Sequence, residues 1–513
     1  MFYWPVMEVS LLGVSVDLIA QLENPKTINA IWFTLWQALV STIVTVLVAI
    51  PGAHLLYKRS FPGQRLVMAL ITVPFVLPSI VVAIGFTVFR NVHEFYQGLG
   101  LKFLEDPVYW IIAAHVFVNY SIAVKTIGGV WATLDLDTEA AAELDGAGRL
   151  RTLMSVSLPQ LRPAIYSASA LIFLFSATSF GIVLVLGGGQ VQTIETAIFF
   201  AATQRLDIEL AAFLVLVQTV ITTLVYLIGV RLSKGAIGLE QVFELGNKPR
   251  IDGRDLIPVV VSVAIWVGLL ALPLMLVIVQ AFTANGTFSF ENFSNLGTRG
   301  ARDLLNITFL EAAGNSFRNM LLAASIAFLL GTIVSGLLIR TRFRSLDLIF
   351  LLPLGVSSVV LGLGFLVSFD AQWFELRSSW LIVPLAQALI AMPMVIRLVY
   401  PALTSIGRET IEQAQLDGAT SWQTWRFIES KMIRGVLVTA LSFSAIVSLG
   451  EFGASSFLAN GSQATIPILL YRLISRPGEQ NYGMAMAVSA ILIFLSGLVV
   501  YLVSRFPKER LSS

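Results

Sequence analysis

The sequence predicts an all-α polytopic membrane protein built from two homologous halves of about six transmembrane helices each. Three observations carry this reading. Hydrophobic residues make up 56% of the 513-residue chain and charged residues 12%, against roughly 25% charged in soluble domains. Apolar stretches of roughly 20 residues, the length that crosses a bilayer as a helix, recur along the whole chain. Glycines, prolines and charges of the first half also return in the second half at fixed offsets.

Apolar runs bounded by charges and Gly/Pro clusters place the spans in order. In the first half they are 28–57, 65–90, 108–131, 162–187 and 209–232. In the second they are 256–282, 316–340, 346–369, 379–402, 435–458 and 482–504. A polar stretch, "LSKGAIGLEQVFELGNKPRIDGR" at 233–255, separates the halves, giving domains 1–232 and 256–513 joined by a linker.

Lysine and arginine set the expected orientation, because they concentrate in loops on the cytoplasmic side. One set of alternate loops holds Lys58, Arg59 and Arg65, then Arg149, Arg151 and Arg162, then Arg231, Lys234 and Lys248. In the second half it continues with Arg340, Arg342, Arg344, Arg408, Arg426, Lys431 and Arg434, and the tail adds Arg505 and Lys508. The opposite loops carry about half as many basic residues, so both termini are expected in the cytoplasm.

The repeat is specific. "VPFVLPSIVVAIGF" (73–86) lines up with "LPLGVSSVVLGLGF" (352–365) at an offset of 279, pairing Pro74 with Pro353 and Ser79 with Ser358. Further on the offset becomes 272, which sets Lys125 on Arg397, Phe180-Gly181 on Phe452-Gly453 and Thr193-Ile194 on Thr465-Ile466. Apolar helices resemble one another by composition, but glycine, proline and charge matches at one offset do not arise that way. At the N-terminus, "MFYWPVMEVSLLGV" matches "LLALPLMLVIVQAF" (269–282), with Pro5 opposite Pro273. Only four residues precede Pro5, so a first span cut short, genuinely or through a misassigned start, is expected.

Composition excludes several chemistries. With no cysteine and only His54, His93 and His115, well separated, the chain offers no disulfide, thiolate site or histidine metal cluster. No G-x-x-x-x-G-K-[ST], H-E-x-x-H or G-x-S-x-G occurs, and a net charge of +2 gives no footprint for nucleic acid. His54 and His115 are expected to pack near helix ends, and Lys125 and Arg397 to snorkel toward the bilayer surface.

The two charged loops stand out. Around "EAAAELDGAGRLRTLMSVSLP" (139–159), five acidic residues lie between Asp135 and Asp145. Adding 272 lands on "EQAQLDGATSWQTWRFIESK" (412–431), so Ala142, Leu144, Asp145, Gly146 and Ala147 match Ala414, Leu416, Asp417, Gly418 and Ala419. Thr138 and Thr410 are expected N-caps, Thr410 with Gln413 at capping-box spacing. Gly146 and Gly418 suit helix ends with positive φ, and Pro159 suits the first turn of the following helix. Two matched helix-turn-helix elements on one face are expected to dock a two-fold symmetric partner.

This pattern is similar to the EAA loop of binding-protein-dependent ABC importer permeases: E-A-A, three residues, G, nine residues, I-x-L-P. The first copy (135–160) has Gly146, Val156, Leu158 and Pro159 in register, with Ala140 at the Glu position and Glu139 before it. The second copy (407–432) has Glu412, Ala414, Gly418 and Ile428 in register, with Ser430-Lys431 in place of Leu-Pro. The resemblance spans nearly the whole chain. It implies a type I ABC importer permease fold in a bacterial plasma (inner) membrane and no enzymatic activity or cofactor in this chain. It also implies ATP on two copies of a cytoplasmic ABC ATPase, and an extracytoplasmic binding protein that selects the cargo. Coupling to the ATPase would fall to Glu139, Ala142, Asp145, Gly146, Ala147, Leu158 and Pro159, and to Glu412, Ala414, Asp417, Gly418 and Ala419.

Polar residues within spans are functional candidates, because the bilayer makes them costly. Glu451, in "SLGEFGASSF", is the sharpest, with Ser179 its repeat counterpart and Asn119 a third candidate for the pathway. A structural or gating role for Glu451 stands ahead of substrate contact. The run "FSATSFGIVLVLGGGQVQTIETAIFF" (175–200) resembles fused permeases for thiamine, and ferric-iron permeases share the two-half design, so thiamine leads and ferric iron is the rival. An ion-coupled secondary transporter is the alternative of another class. It would require paired intramembrane carboxylates or broken-helix ion sites, and it does not account for twin docking loops.

Overall fold

A computed structural model describes residues 3–14, 21, 23–91, 98, 100, 102–134, 136–232, 248–303, 305–340, 357–369 and 379–505. Among these, seven helices are long and apolar enough to span a bilayer: Pro25–Lys58, Pro107–Thr133, Ile208–Leu232, Leu256–Ala281, Phe309–Arg340, Ile382–Thr404 and Glu479–Leu502. Their starts follow local chemistry. The Asn24 side chain accepts from the Lys26 N–H at 3.0 Å and Asp106 from that of Val108 at 2.9 Å. Each cap precedes a proline in the first turn, where a missing N–H leaves no bond unmade.

Three expected spans are broken. Gln64–Val76 and Ser79–Arg90 meet at 101°, so 65–90 is no single helix. Pro78 occupies the corner in an extended conformation (φ −54°, ψ 134°) and has no N–H to carry the ladder through. In 162–187, Leu153–Ala177 and Gly181–Gly187 meet at 55° around Thr178–Phe180. In 435–458, helix Arg434–Gly450 ends at Glu451, and a short helix, Gly453–Leu458, follows. Of the expected span 346–369 the structure describes 357–369, with helix Ser358–Ser368. Of the linker 233–255 it describes 248–255; the rest lies outside the described residues.

The repeat appears in three dimensions as exchanged first helices. Tyr3–Val14 packs on Ile208–Leu232 of its own half and on Ser358–Ser368 of the other. Its counterpart Leu272–Ala281 packs on Glu479–Arg505 and on Ser79–Arg90. Gly364 faces the Pro5 carbonyl and Gly85 faces Pro273, so the matched prolines meet matched glycines across the halves. The N–H of Ile194 donates to Thr34 Oγ, and that of Ile466 to Ser316 Oγ, both at 2.8 Å. This bond pairs Pro25–Lys58 with Phe309–Arg340 at an offset of 282, a fourth register of the same repeat.

One further tie joins the halves. Asp255, buried just before Leu256–Ala281, accepts from Arg59 Nε at 2.7 Å and lies 3.3 Å from His54 Nε2. Burial alone raises its carboxyl; the Arg59 guanidinium and the Asp252 N–H outweigh that and hold it well below the usual carboxylate range. His54 thus sits near a helix end as expected. His115 does not: it is buried within Pro107–Thr133, where Ser41 Oγ lies 3.3 Å from Nδ1 and gives one ring nitrogen a partner away from the helix end. Lys125 and Arg397 are exposed.

Candidate functional site: twin loops and an axial aromatic cluster

Each charged loop is a helix closed by a left-handed glycine. Leu136–Leu144 ends at Gly146 (φ 83°) and Arg408–Leu416 at Gly418 (φ 81°). Ala147 N–H donates to the Ala142 carbonyl and Ala419 N–H to that of Ala414, both at 3.0 Å. These are the long bonds of a Schellman cap, so Ala142, Gly146 and Ala147, with their mates, shape the turn. Asp145 and Asp417 sit exposed at its apex. Beside them Leu144 and Leu416 are 88% and 87% exposed, an apolar pair in matched positions. Glu412 is exposed on its helix and Ala414 is buried.

Neither expected threonine cap forms. Thr138 lies inside Leu136–Leu144, and Thr410 lies inside Arg408–Leu416, whose N-cap is Gly407. The capping box occurs ten residues later. Thr420 Oγ accepts from Gln423 N–H at 3.3 Å, while Gln423 Oε1 accepts from Thr420 N–H at 2.8 Å, opening the second short helix. Both loops then pass through a π-turn at the same repeat position, Leu153–Ser157 and Trp425–Glu429. From there they diverge. Leu158 and Pro159 open a helix that runs on from the first π-turn, whereas Ser421–Met432 and Arg434–Gly450 meet at 81°.

Glu139 faces inward. Its carboxylate pairs with Lys58 Nζ at 3.0 Å and accepts from Ser157 Oγ at 2.8 Å and Trp131 Nε1 at 3.4 Å. In the other half Arg340, which matches Lys58, pairs with Glu429 at 3.4 Å. Glu429 matches Ser157, and Ile411 matches Glu139. The cation at the helix end is retained, and its acid has moved to the other side of the loop.

The second site lies where the broken helices converge. Phe180 and Phe452, repeat mates, stack with ring centroids 5.2 Å apart and planes at 20°. Phe180 packs on Phe199 at 5.2 Å, and Phe452 on Tyr471, the mate of Phe199, at 5.6 Å. Phe199 and Tyr471 close the ring at 6.5 Å. Four aromatic groups thus surround the pseudo-two-fold axis. Gly181 and Gly453 let the corners approach Ser79 and Ser358, where a Cβ would collide with the serine hydroxyl.

Glu451 is a helix cap. Its carboxylate accepts from the N–H groups of Ala454 (2.7 Å) and Ser455 (3.0 Å) and from Ser455 Oγ (2.6 Å). Ser179 is buried beside Phe180, and its Oγ has no hydrogen-bond partner among the described residues. Asn119 Nδ2 donates to Ser176 Oγ at 3.3 Å, in the packing behind the break. The structure therefore brings Glu451 and Ser179 to the aromatic pair and leaves Asn119 outside it.

Sequence reasoning missed Glu195 as a site residue. It is fully buried, accepts from Gln218 Nε2 at 2.9 Å and is hydrogen-bonded by Ser357 Oγ of the other half. Its chain neighbour Ile194 bonds Thr34. Thr34 lies in Pro25–Lys58 and Gln218 in Ile208–Leu232, so this segment is anchored between two spanning helices.

A family model described as "Binding-protein-dependent transport system inner membrane component" matches residues 41–237 and 327–512. Over 500 residues the chain is 27% identical to the "Thiamine transport system permease protein ThiP" of Escherichia coli (strain K12), covering 94% of this chain and 90% of that protein. It is 28% identical to the protein of that name from Salmonella typhimurium, covering 93% and 89%. To that of Haemophilus influenzae it is 25% identical, covering 92% and 87%.

Proposed function

The chain belongs to the family of binding-protein-dependent transport system inner membrane components, as the fused two-half, multi-pass permease of an ABC importer, and from that premise we propose that its cargo is thiamine. The observation that carries this reading is the extent of the likeness. Relatives named for thiamine transport match over both halves and about nine tenths of their length. The resemblance of 175–200 to thiamine permeases points the same way. Family membership sets the ion-coupled alternative aside.

In this reading the loops 135–160 and 407–432 face the cytoplasm and seat on two copies of an ATPase subunit that binds and hydrolyses the ATP. An extracytoplasmic binding protein delivers thiamine to the opposite face. Two related loops with exposed Leu144 and Leu416 at matched apices fit a two-fold partner. The basic residues concentrated in the loops on the same side support this orientation.

The test is growth. A thiamine auxotroph lacking its own uptake route, given this permease with its ATPase and binding protein, grows on trace thiamine. Failure to grow, with iron-limited growth rescued instead, turns the cargo to ferric iron.

A further inference from the structure

The repeat is closely kept around the axis, and it fails at one polar couple. Glu195 matches Pro467, and Ser357 matches Pro78. The hydrogen bond that joins the halves on one side of the axis is replaced by two prolines on the other. Both prolines stand at helix starts, which proline suits. The fold therefore needs no polar couple at this position, since its mate is built without one.

A buried carboxylate among membrane-spanning helices is costly, and hydrogen bonds from neutral groups offset only part of that. Glu195 accepts from Ser357 and Gln218, both neutral, and no Lys, Arg or His forms an ion pair with it among the described residues. One helical turn on, Phe199 joins the ring of aromatic groups. Stacked aromatic faces attract cations and flat rings.

We propose that Glu195 and the axial aromatic cluster form a transit site for a planar organic cation, the rings holding its ring and the carboxylate its charge. The Ser357 bond crosses between the halves, so parting the halves withdraws the serine and frees the carboxylate for cargo. This assignment deepens the thiamine reading and rests on it for the identity of the cation, while the site's charge preference is testable alone.

The probe is thioflavin T, a planar cation whose emission rises when its rings are held, titrated into the whole chain in lipid nanodiscs. The unmodified chain binds it saturably. Glu195→Gln, which keeps the side chain's shape and its acceptor for Ser357, weakens binding at least about tenfold. Glu195→Asp retains most of the affinity, and Ser357→Ala, which keeps the charge and removes the competing donor, binds at least as tightly as the unmodified chain. Equal binding by E195Q and the unmodified chain, or no saturable binding by the latter, overturns the site. Thiamine uptake by cells carrying the complete importer is measured alongside. Binding that depends on Glu195 without thiamine uptake sinks the cargo reading and leaves the cation site standing.

Discussion

Glu451 shows how a charge in a span can belong to the backbone. Its oxygens take up two N–H groups that the break at Glu451–Phe452 leaves without helical partners. Glu451→Ala strands those donors and lowers stability by about 1–3 kcal/mol, read by thermal unfolding of the purified chain; Glu451→Gln recovers part. Glu139 permits a prediction in pH. Burial alone raises its carboxyl, and the Ser157 hydroxyl and Lys58 ammonium outweigh it, so the group lies below its ordinary value of 4.5. A depressed carboxylate stabilises fully above that value and loses its contribution as pH falls through the lower folded value. Amide protection of 136–144, corrected for intrinsic exchange, is therefore level from neutral pH down to about 5 and falls below it. In Glu139→Gln the acid-dependent fall is absent.

At the scale of elements, the two loops separate what is shape from what is surface. Gly146 and Gly418 hold φ angles that proline cannot adopt. Gly146→Pro and Gly418→Pro each abolish transport and stimulation of the ATPase while the protein still reaches the membrane. Leu144→Asp and Leu416→Asp change only exposed side chains, so stability moves within about 0.5 kcal/mol. Co-purification of the ATPase is nevertheless lost, and retention of the ATPase by both variants removes these leucines from the docking surface. Much of this was legible beforehand: the matched glycines, the alanines that flank them and Pro159 all carry strong local preferences. The π-turns were not, since no residue type marks an added residue within a turn. The threonine caps were misplaced because Thr138 and Thr410 offer the right side chain one turn too late, after the helix has begun. The acid that moved from 139 to 429 was hidden as well, because a cation accepts a partner from either flank.

Across the whole molecule, fold class and duplication could be read from periodicity, whereas the meeting of the halves could not. Phe180 and Phe452 are ordinary apolar letters in the sequence, and Glu195 is separated from Ser357 by 162 residues. Only packing reveals that they share an axis. The absence of cysteine makes that axis directly accessible to chemistry. A chain carrying Phe180→Cys and Phe452→Cys is predicted to cross-link internally through a short bis-maleimide in the resting state and to lose transport, whereas either single variant takes up the reagent through one maleimide and forms no internal bridge. No cross-link in the double variant places the two corners apart. One asymmetry bears on how such a pathway would be driven. The first loop leads into its axial phenylalanine through a continuous helix from Leu153 to Ala177, while the second passes an 81° elbow at Ile433. Equal pushes on the two loops then arrive unequally: one as a thrust along a strut, the other as a turn about an elbow. A symmetric motor coupled to these arms would shear the aromatic stack sideways rather than pull it straight apart.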